Sequence, residues 1–176
     1  MQKLRFVLFL IPALLVIWSF NHPVPKSKIK WMSLAEAEKA SIANPKPILI
    51  DLYTSWCGWC KVMDKKTYDN ESVANYLQDK FYPVKLDAET RDSISWAGRK
   101  FVYNKQYRIN EFAIYLTGGE LSFPTTIFIN DLKTSPQNIA GYLKPEELEP
   151  IAKYFGEGNF GKITFQSFQQ SFKPQW

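Results

Sequence analysis

The two cysteines of this 176-residue chain, its only ones, stand three residues apart in Trp56-Cys57-Gly58-Trp59-Cys60-Lys61. Two thiols at that spacing can close a reversible disulfide, so electron exchange with other thiols is the first chemistry they suggest. At the start of a helix, residues i and i+3 share one face with Cβ atoms roughly 5–6 Å apart, close to the separation a disulfide tolerates. The two sulfurs are not equivalent. Cys57 falls at the helix N-cap, where unsatisfied backbone N–H groups favour a thiolate, and Cys60 lies one turn inside. That asymmetry makes Cys57 the expected nucleophile and Cys60 the resolving thiol.

A cysteine pair at this spacing has two other readings. A CxxC is also half of a zinc site, but four ligands are normally required, no other cysteine exists, and the single histidine, His22, lies in the N-terminal linker. No metal site is expected. A purely structural disulfide stands as an alternative, although closing so short a loop removes little unfolded-state entropy.

The elements that must position these thiols can be read on either side. Ahead of them runs Pro47-Ile48-Leu49-Ile50-Asp51-Leu52-Tyr53, apolar and β-branched, a strand over 47–54 that reads as buried. Ser33-Leu34-Ala35-Glu36 forms a capping box that opens a helix to about Asn44. A helix starts from Cys57 and another covers about 71–80, followed by a strand at 81–86. Strands near 125–130 and 137–141 flank a turn at Asp131 to Pro136, and Pro145 suits the first turn of a last helix. Pro150 fits poorly inside that helix and predicts a break or a later start.

With these residues in place, the chain resembles the thioredoxin superfamily. Ile48 to Lys61 looks like its active-site strand and helix start. The Cys-Gly-Trp-Cys-Lys variant, with Met63 and Thr67, is similar to exported bacterial thioredoxin-like proteins related to the C-terminal domain of the disulfide-interchange reductases. Val84-Lys85-Leu86-Asp87 matches the next strand, Phe123-Pro124-Thr125-Thr126 the cis-proline loop, and Gly141 the position before the last helix, over residues 31–155. The resemblance implies an α/β thioredoxin fold, a mixed central sheet with helices on both faces.

It also implies roles. Asp51, six residues before Cys57, matches an acid that exchanges a proton with the resolving thiol through water, with a lysine at the position of Lys85 nearby. Burial raises a carboxyl pKa and suits it to that exchange. A structural ion pair between Asp51 and Lys85 is the competing account. The Phe123–Pro124 bond is expected to be cis and to face the CxxC, leaving the Phe123 backbone to pair with an extended substrate chain. Trp56, Gly58 and Trp59 complete the expected substrate-binding set. Trp59 departs from the proline that many thioredoxins carry between their cysteines, which bears on redox poise.

Lys3 and Arg5 precede an apolar run from Phe6 to Phe20, so residues 1–20 read as a signal sequence or an uncleaved N-terminal membrane anchor, followed by a linker at 21–30. Export to the periplasm follows from the resemblance. The net charge of +5 does not indicate nucleic acid: four cations and no acids lie in the first 28 residues, leaving 18 cations against 17 carboxylates in the remainder.

Two segments exceed a minimal thioredoxin. An insert at about 91–120 is aromatic-rich, with Trp96, Phe101, Tyr103, Tyr107, Phe112 and Tyr115, and reads as one or two short helices ending at Gly118-Gly119. Its rings suit a local core or a client-docking wall. In the extension 156–176, Phe165, Phe168 and Phe172 make a helical stripe that is expected to pack back on the domain, the alternative being contact with a partner or a membrane surface.

The expected activity is thiol:disulfide exchange, reducing disulfides of protein clients without a cofactor, with a membrane disulfide-interchange reductase as electron donor. An oxidase or isomerase would use the same residues at a different poise. A client-binding module with incidental thiols is the third option.

Overall fold

The computed structural model describes residues 28–176. The apolar N-terminal segment at 1–20 and most of the linker at 21–30 lie outside the described residues. Among the described residues no helix is long and apolar enough to cross a membrane.

Helix α1 (Leu34–Ala43) begins at the expected capping box: the Ser33 side chain accepts from the Glu36 N–H, and the Glu36 carboxylate accepts from the Ser33 N–H at 2.9 Å. Strand β1 (Ile48–Tyr53) follows, buried along nearly its whole length as its continuous apolar run requires. Helix α2 (Gly58–Met63) runs directly into a π-helical turn (Asp64–Tyr68), and α3 (Glu71–Lys80) leads to β2 (Tyr82–Asp87). After the insert come β7 (Thr125–Ile129), β8 (Gln137–Ala140), α5 (Pro145–Gly156) and α6 (Phe165–Ser171).

The central sheet has the order β2-β1-β7-β8. Strand β2 is parallel to β1, β7 is antiparallel to it, and β8 is antiparallel to β7. Because side chains alternate along a strand, β1 divides the core in two. Leu49, with Phe128 of β7, packs under Met63, Leu77, Leu148 and Phe155. Ile48, Ile50 and Leu52, with Ile127 and Ile129, face Ala37 of α1 and the insert. Helical layers on both faces of a mixed sheet make the expected architecture.

The insert differs from its reading as one or two helices. It contains two small antiparallel hairpins, β3 (Ile94–Trp96) with β4 (Arg99–Phe101) and β5 (Tyr103–Asn104) with β6 (Ile109–Asn110), and only then a helix, α4 (Glu111–Thr117). The first hairpin turns on Ala97 and Gly98, both at positive φ. That two-residue geometry matches strand twist, but alanine at its first position disguises the turn in sequence. Trp96, Phe101 and Phe112 are buried together as a local core, whereas Tyr107 is exposed.

Helix α5 also runs through Pro150 without a break. The N–H that proline lacks would have bonded the carbonyl of Glu146 in the helix's own first turn. Leu148, Ala152 and Phe155 hold the helix from both sides of that position by burial against the sheet. In α6, Phe168 is buried, and Phe165 and Phe172 pack on the same cluster, so the phenylalanine stripe lies against the domain.

Candidate functional site

Strand β1 ends at Tyr53 and the chain turns through Thr54-Ser55-Trp56 into α2, with the Cys57 N–H donating to the Thr54 carbonyl at 3.2 Å. Cys57 is the N-cap of α2 in extended conformation, and Cys60 lies inside the helix. The two are joined as a disulfide with a Cα–Cα distance of 5.4 Å. The backbone N–H of Cys60 donates to Cys57 Sγ at 3.0 Å. A helix-terminal N–H aimed at that sulfur favours negative charge on it. Both cysteines are nearly buried, but Trp56 and Trp59 beside them are 65% and 62% exposed.

These two rings are held differently. Trp56 donates from Nε1 to a Glu89 carboxylate oxygen at 3.0 Å and meets Phe123 edge to face at 5.9 Å. Trp59 stacks on Tyr142 with ring centroids 5.6 Å apart. Trp59, Phe123, Pro124, Gly141 and Tyr142 line an apolar recess of about 370 Å³. The Phe123–Pro124 peptide is cis, and the Pro124 carbonyl accepts from the Gly141 N–H at 2.8 Å. Gly141, at φ +98°, occupies a conformation that side chains rarely adopt. Gly58 opens α2 with no atom within 4 Å of where a Cβ would stand, so it contributes an open approach rather than a packing contact.

Beneath this surface lies a buried polar cluster. Asp51 is opposite Lys85 on β2 and opposite Thr126 on β7. Its side chain shares the sheet face on which Leu49 meets Met63 and Tyr68, the face covered by α2. Lys85 Nζ is 3.0 Å from Asp51 Oδ2 and also pairs with Asp64. Burial pushes the Asp51 carboxyl up to about 6, with the Lys85 ammonium opposing the rise. Burial pulls the Lys85 ammonium down, but Asp51 and Asp64 outweigh it and leave Lys85 above its ordinary value. Asp51 Oδ1, Tyr68 Oη and Thr126 Oγ1 are buried beside one another in this cluster. Burial, reinforced by the neighbouring Asp51, raises the Tyr68 hydroxyl well above the ordinary tyrosine range.

The structure therefore brings Cys57, Cys60, Trp56, Trp59, Phe123 and Pro124 to one surface and sets Asp51 with Lys85 in the layer below. The ion pair considered from sequence is present. Asp64, Tyr68, Glu89 and Tyr142 were not anticipated at the site. Asp64 carried a local signal, four residues past Cys60 and thus on the same helix face. Glu89 had none, because it reaches Trp56 from 33 positions away. Among the described residues no group of three His, Cys, Asp or Glu side chains is placed to hold a metal ion.

Comparison with known proteins agrees with this geometry. The family model Thioredox_DsbH, described as "Protein of unknown function, DUF255", matches residues 20–155. A thiol:disulfide interchange protein DsbD of Yersinia enterocolitica is 33% identical over 87 residues, 42% of this chain and 15% of that protein. An uncharacterized protein of Caenorhabditis elegans is 37% identical over 67 residues, 38% of this chain and 9% of that protein. The chain thus spans a small part of the length of either relative. The solved structure titled "DsbH Oxidoreductase" superposes with a TM-score of 0.55 at 18% identity, covering 78% of this chain and 91% of that one. With a cysteine pair of thiol–disulfide exchange type on a mixed four-stranded sheet, the chain belongs to the Thioredox_DsbH (DUF255) family of the thioredoxin superfamily.

Proposed function

We propose that this protein is an exported thiol:disulfide oxidoreductase that reduces disulfides in protein clients. The observation that carries the reading is the Cys60 N–H directed at Cys57 Sγ at the helix N-cap. In the dithiol form that N–H stabilises a Cys57 thiolate, which attacks one sulfur of a client disulfide. A Cys57–client mixed disulfide forms and the other client sulfur leaves as a thiolate that takes up a proton. Asp51 accepts the proton of the Cys60 thiol. The Cys60 thiolate then attacks Cys57 Sγ and expels the second client sulfur, closing the Cys57–Cys60 disulfide. Two electrons have passed to the client, and a donor dithiol must return them.

The rest of the surface suits such a client. Exposed Trp56 and Trp59 flank the disulfide, and the recess at Phe123 and Pro124 suits an extended chain lying beside it. The thiols exchange electrons without a cofactor or metal. Similarity to DsbD supports a periplasmic setting and a membrane disulfide-interchange reductase as the donor. The apolar segment from Phe6 to Phe20 acts as export signal or membrane anchor.

Trapping tests the assigned roles. Reduced Cys60→Ser should accumulate mixed disulfides with a disulfide-bonded client, and Cys57→Ser should not. Equal trapping by both variants, or none, overturns the assignment. The reduction potential tests direction: a value near thioredoxin's roughly −270 mV fits a reductase, and one near roughly −120 mV fits an oxidant of folding proteins.

A further inference from the structure

The near balance of charge outside the first 28 residues conceals a local segregation. Residues 91–108 carry five cations, Arg91, Arg99, Lys100, Lys105 and Arg108, against the single carboxylate of Asp92. The remainder of 29–176 therefore holds 13 cations against 16 carboxylates and is net acidic. Folding sorts the cations further. Arg99 turns onto the rings of Phe101 and Tyr115. Arg91, Lys105 and Arg108 instead converge, with Val102 and Tyr103, around an open recess of about 620 Å³. Arg91 is braced against the Tyr103 ring at 5.6 Å. Among the described residues none of the three cations pairs with a carboxylate.

Two acids on the neighbouring elements are engaged elsewhere, and Asp92 is the one carboxylate within the segment itself. Glu89 accepts from Trp56, and Glu111 accepts from the Val102 N–H at 3.3 Å. Hydrogen bonds hold the backbone of the recess walls. The Asn104 side chain accepts from the N–H groups of Gln106 and Tyr107, closing the turn that carries Lys105. Arg108 follows at φ +55°, a backbone state costly for an arginine and held here by the hairpin. Asn110, fully buried, donates from Nδ2 to the carbonyls of Thr90 and Asp92 and clamps the loop that bears Arg91.

That loop ties the recess to the redox site. Glu89, two residues before Arg91, holds the Trp56 indole beside Cys57. A polypeptide whose cysteine reaches Cys57 past Trp56 would therefore lay its flanking residues toward Arg91. We propose that this recess is a specificity site for an acidic segment of the partner polypeptide, engaging its carboxylates with Arg91, Lys105 and Arg108 and its aliphatic carbons with Val102 and Tyr103. The inference rests on the thiol-exchange reading and names the chemistry of the client. Charges of this exposed kind act mainly on encounter rate and choice of partner, and salt weakens them.

The test uses the full chain and two disulfide-bonded peptides identical except for an Asp/Glu-rich or a Ser/Gln-rich flank, with dithiothreitol supplying the electron pair. The wild-type chain should reduce the acidic peptide with a kcat/KM about tenfold higher, the advantage fading at high salt. The triple variant Arg91→Ser/Lys105→Ser/Arg108→Ser should lose that preference and keep its rate on the neutral peptide. Equal rates on both peptides for the wild type, or a preference that survives in the variant, overturn the site. If the wild type reduces neither peptide, the exchange reading itself has failed. Fluorescence anisotropy with the labelled acidic peptide then decides the recess separately, by whether binding is lost in the triple variant. A short single-stranded DNA and vesicles of three parts phosphatidylcholine to one part phosphatidylglycerol serve as competing anions. Should either lose binding in the variant while the acidic peptide never binds, the polypeptide assignment is refuted.

Discussion

Replacing Asp51 by Asn should make the protein more stable and slower, and the stability gain should depend on pH in a way the buried cluster dictates. Asp51 is 1% exposed, and its carboxyl moves from an ordinary 3.8 to about 6. A carboxyl that is harder to ionise when folded binds more protons in the folded than in the unfolded chain between those two values. Stability therefore falls as pH rises from 3.8 to about 6 and levels off above. With one pKa unit equal to about 1.4 kcal/mol, the ionised group costs about 3 kcal/mol at pH 7.5 and about 1 kcal/mol at pH 4.5. Asn carries no such charge. The attraction of Lys85 is already contained in that value, and Lys85 keeps Asp64 as a partner. Asp51→Asn should thus gain about 2–3 kcal/mol at pH 7.5 and at most about 1 kcal/mol at pH 4.5. Urea unfolding of the disulfide-bonded full chain at the two pH values measures both. Turnover in an insulin-disulfide reduction assay should fall by about 10² for want of a group to take the Cys60 proton. An Asp51→Asn chain that is less stable at pH 7.5, or equally shifted at both pH values, would refute the account of this carboxyl as a buried charge maintained for chemistry.

Two further outcomes probe the frame around the site. Glu149 is fully buried, pairs with Lys153 at 2.9 Å and accepts from the N–H groups of Gln175 and Trp176 at 2.7 and 3.2 Å. Glu149→Gln leaves the Lys153 ammonium with the Gln175 side chain but no carboxylate and should cost about 3–5 kcal/mol by urea unfolding, with a cost below about 1 kcal/mol contradicting that role. At Gly156 a Cβ would stand 2.9 Å from Tyr76 Oη, 3.0 Å from Lys80 Cβ and 3.1 Å from Phe81 Cε2. Gly156→Ala should therefore destabilise by about 1–3 kcal/mol, and a thermal midpoint equal to wild type would show that α3 and α5 can part there freely.

What could be read in sequence follows the range of the interactions involved. The β1 strand, the Ser33 capping box and the N-cap position of Cys57 depend on neighbours within a few residues, and each is where the local pattern put it. Asp51 was legible through the thioredoxin resemblance, which places an acid six residues before the first cysteine on this strand. Glu89 sits among ordinary polar residues and the fold alone carries it to Trp56, 33 positions away, whereas Asp64 shares a helix face with Cys60 but meets Lys85, 21 positions away, through the fold. The insert failed for a different reason. Trp96, Phe101 and Phe112 are buried, as the number of rings suggested, but Ala97-Gly98 lacks the Asn or Asp that signals a two-residue hairpin turn, so the first pair of short strands reads as helix.

The two tryptophans show how the insert enters the chemistry. Trp59 stacks on Tyr142, at the side of the recess built from the loop that follows β8. Trp56 has two anchors, the edge of Phe123 and the carboxylate of Glu89, and the second belongs to the loop that Asn110 clamps to the start of α4. Among the described residues, displacing Trp59 disturbs one ring contact, that with Tyr142. Displacing Trp56 breaks a charge-assisted hydrogen bond to the segment that presents Arg91. The rim of the disulfide is thus adaptable on the Trp59 side and fixed on the Trp56 side. A client held by its flanking residues at the insert would be registered against Cys57 through that fixed side, leaving Trp59 to accommodate whatever side chain lies across the cysteine pair.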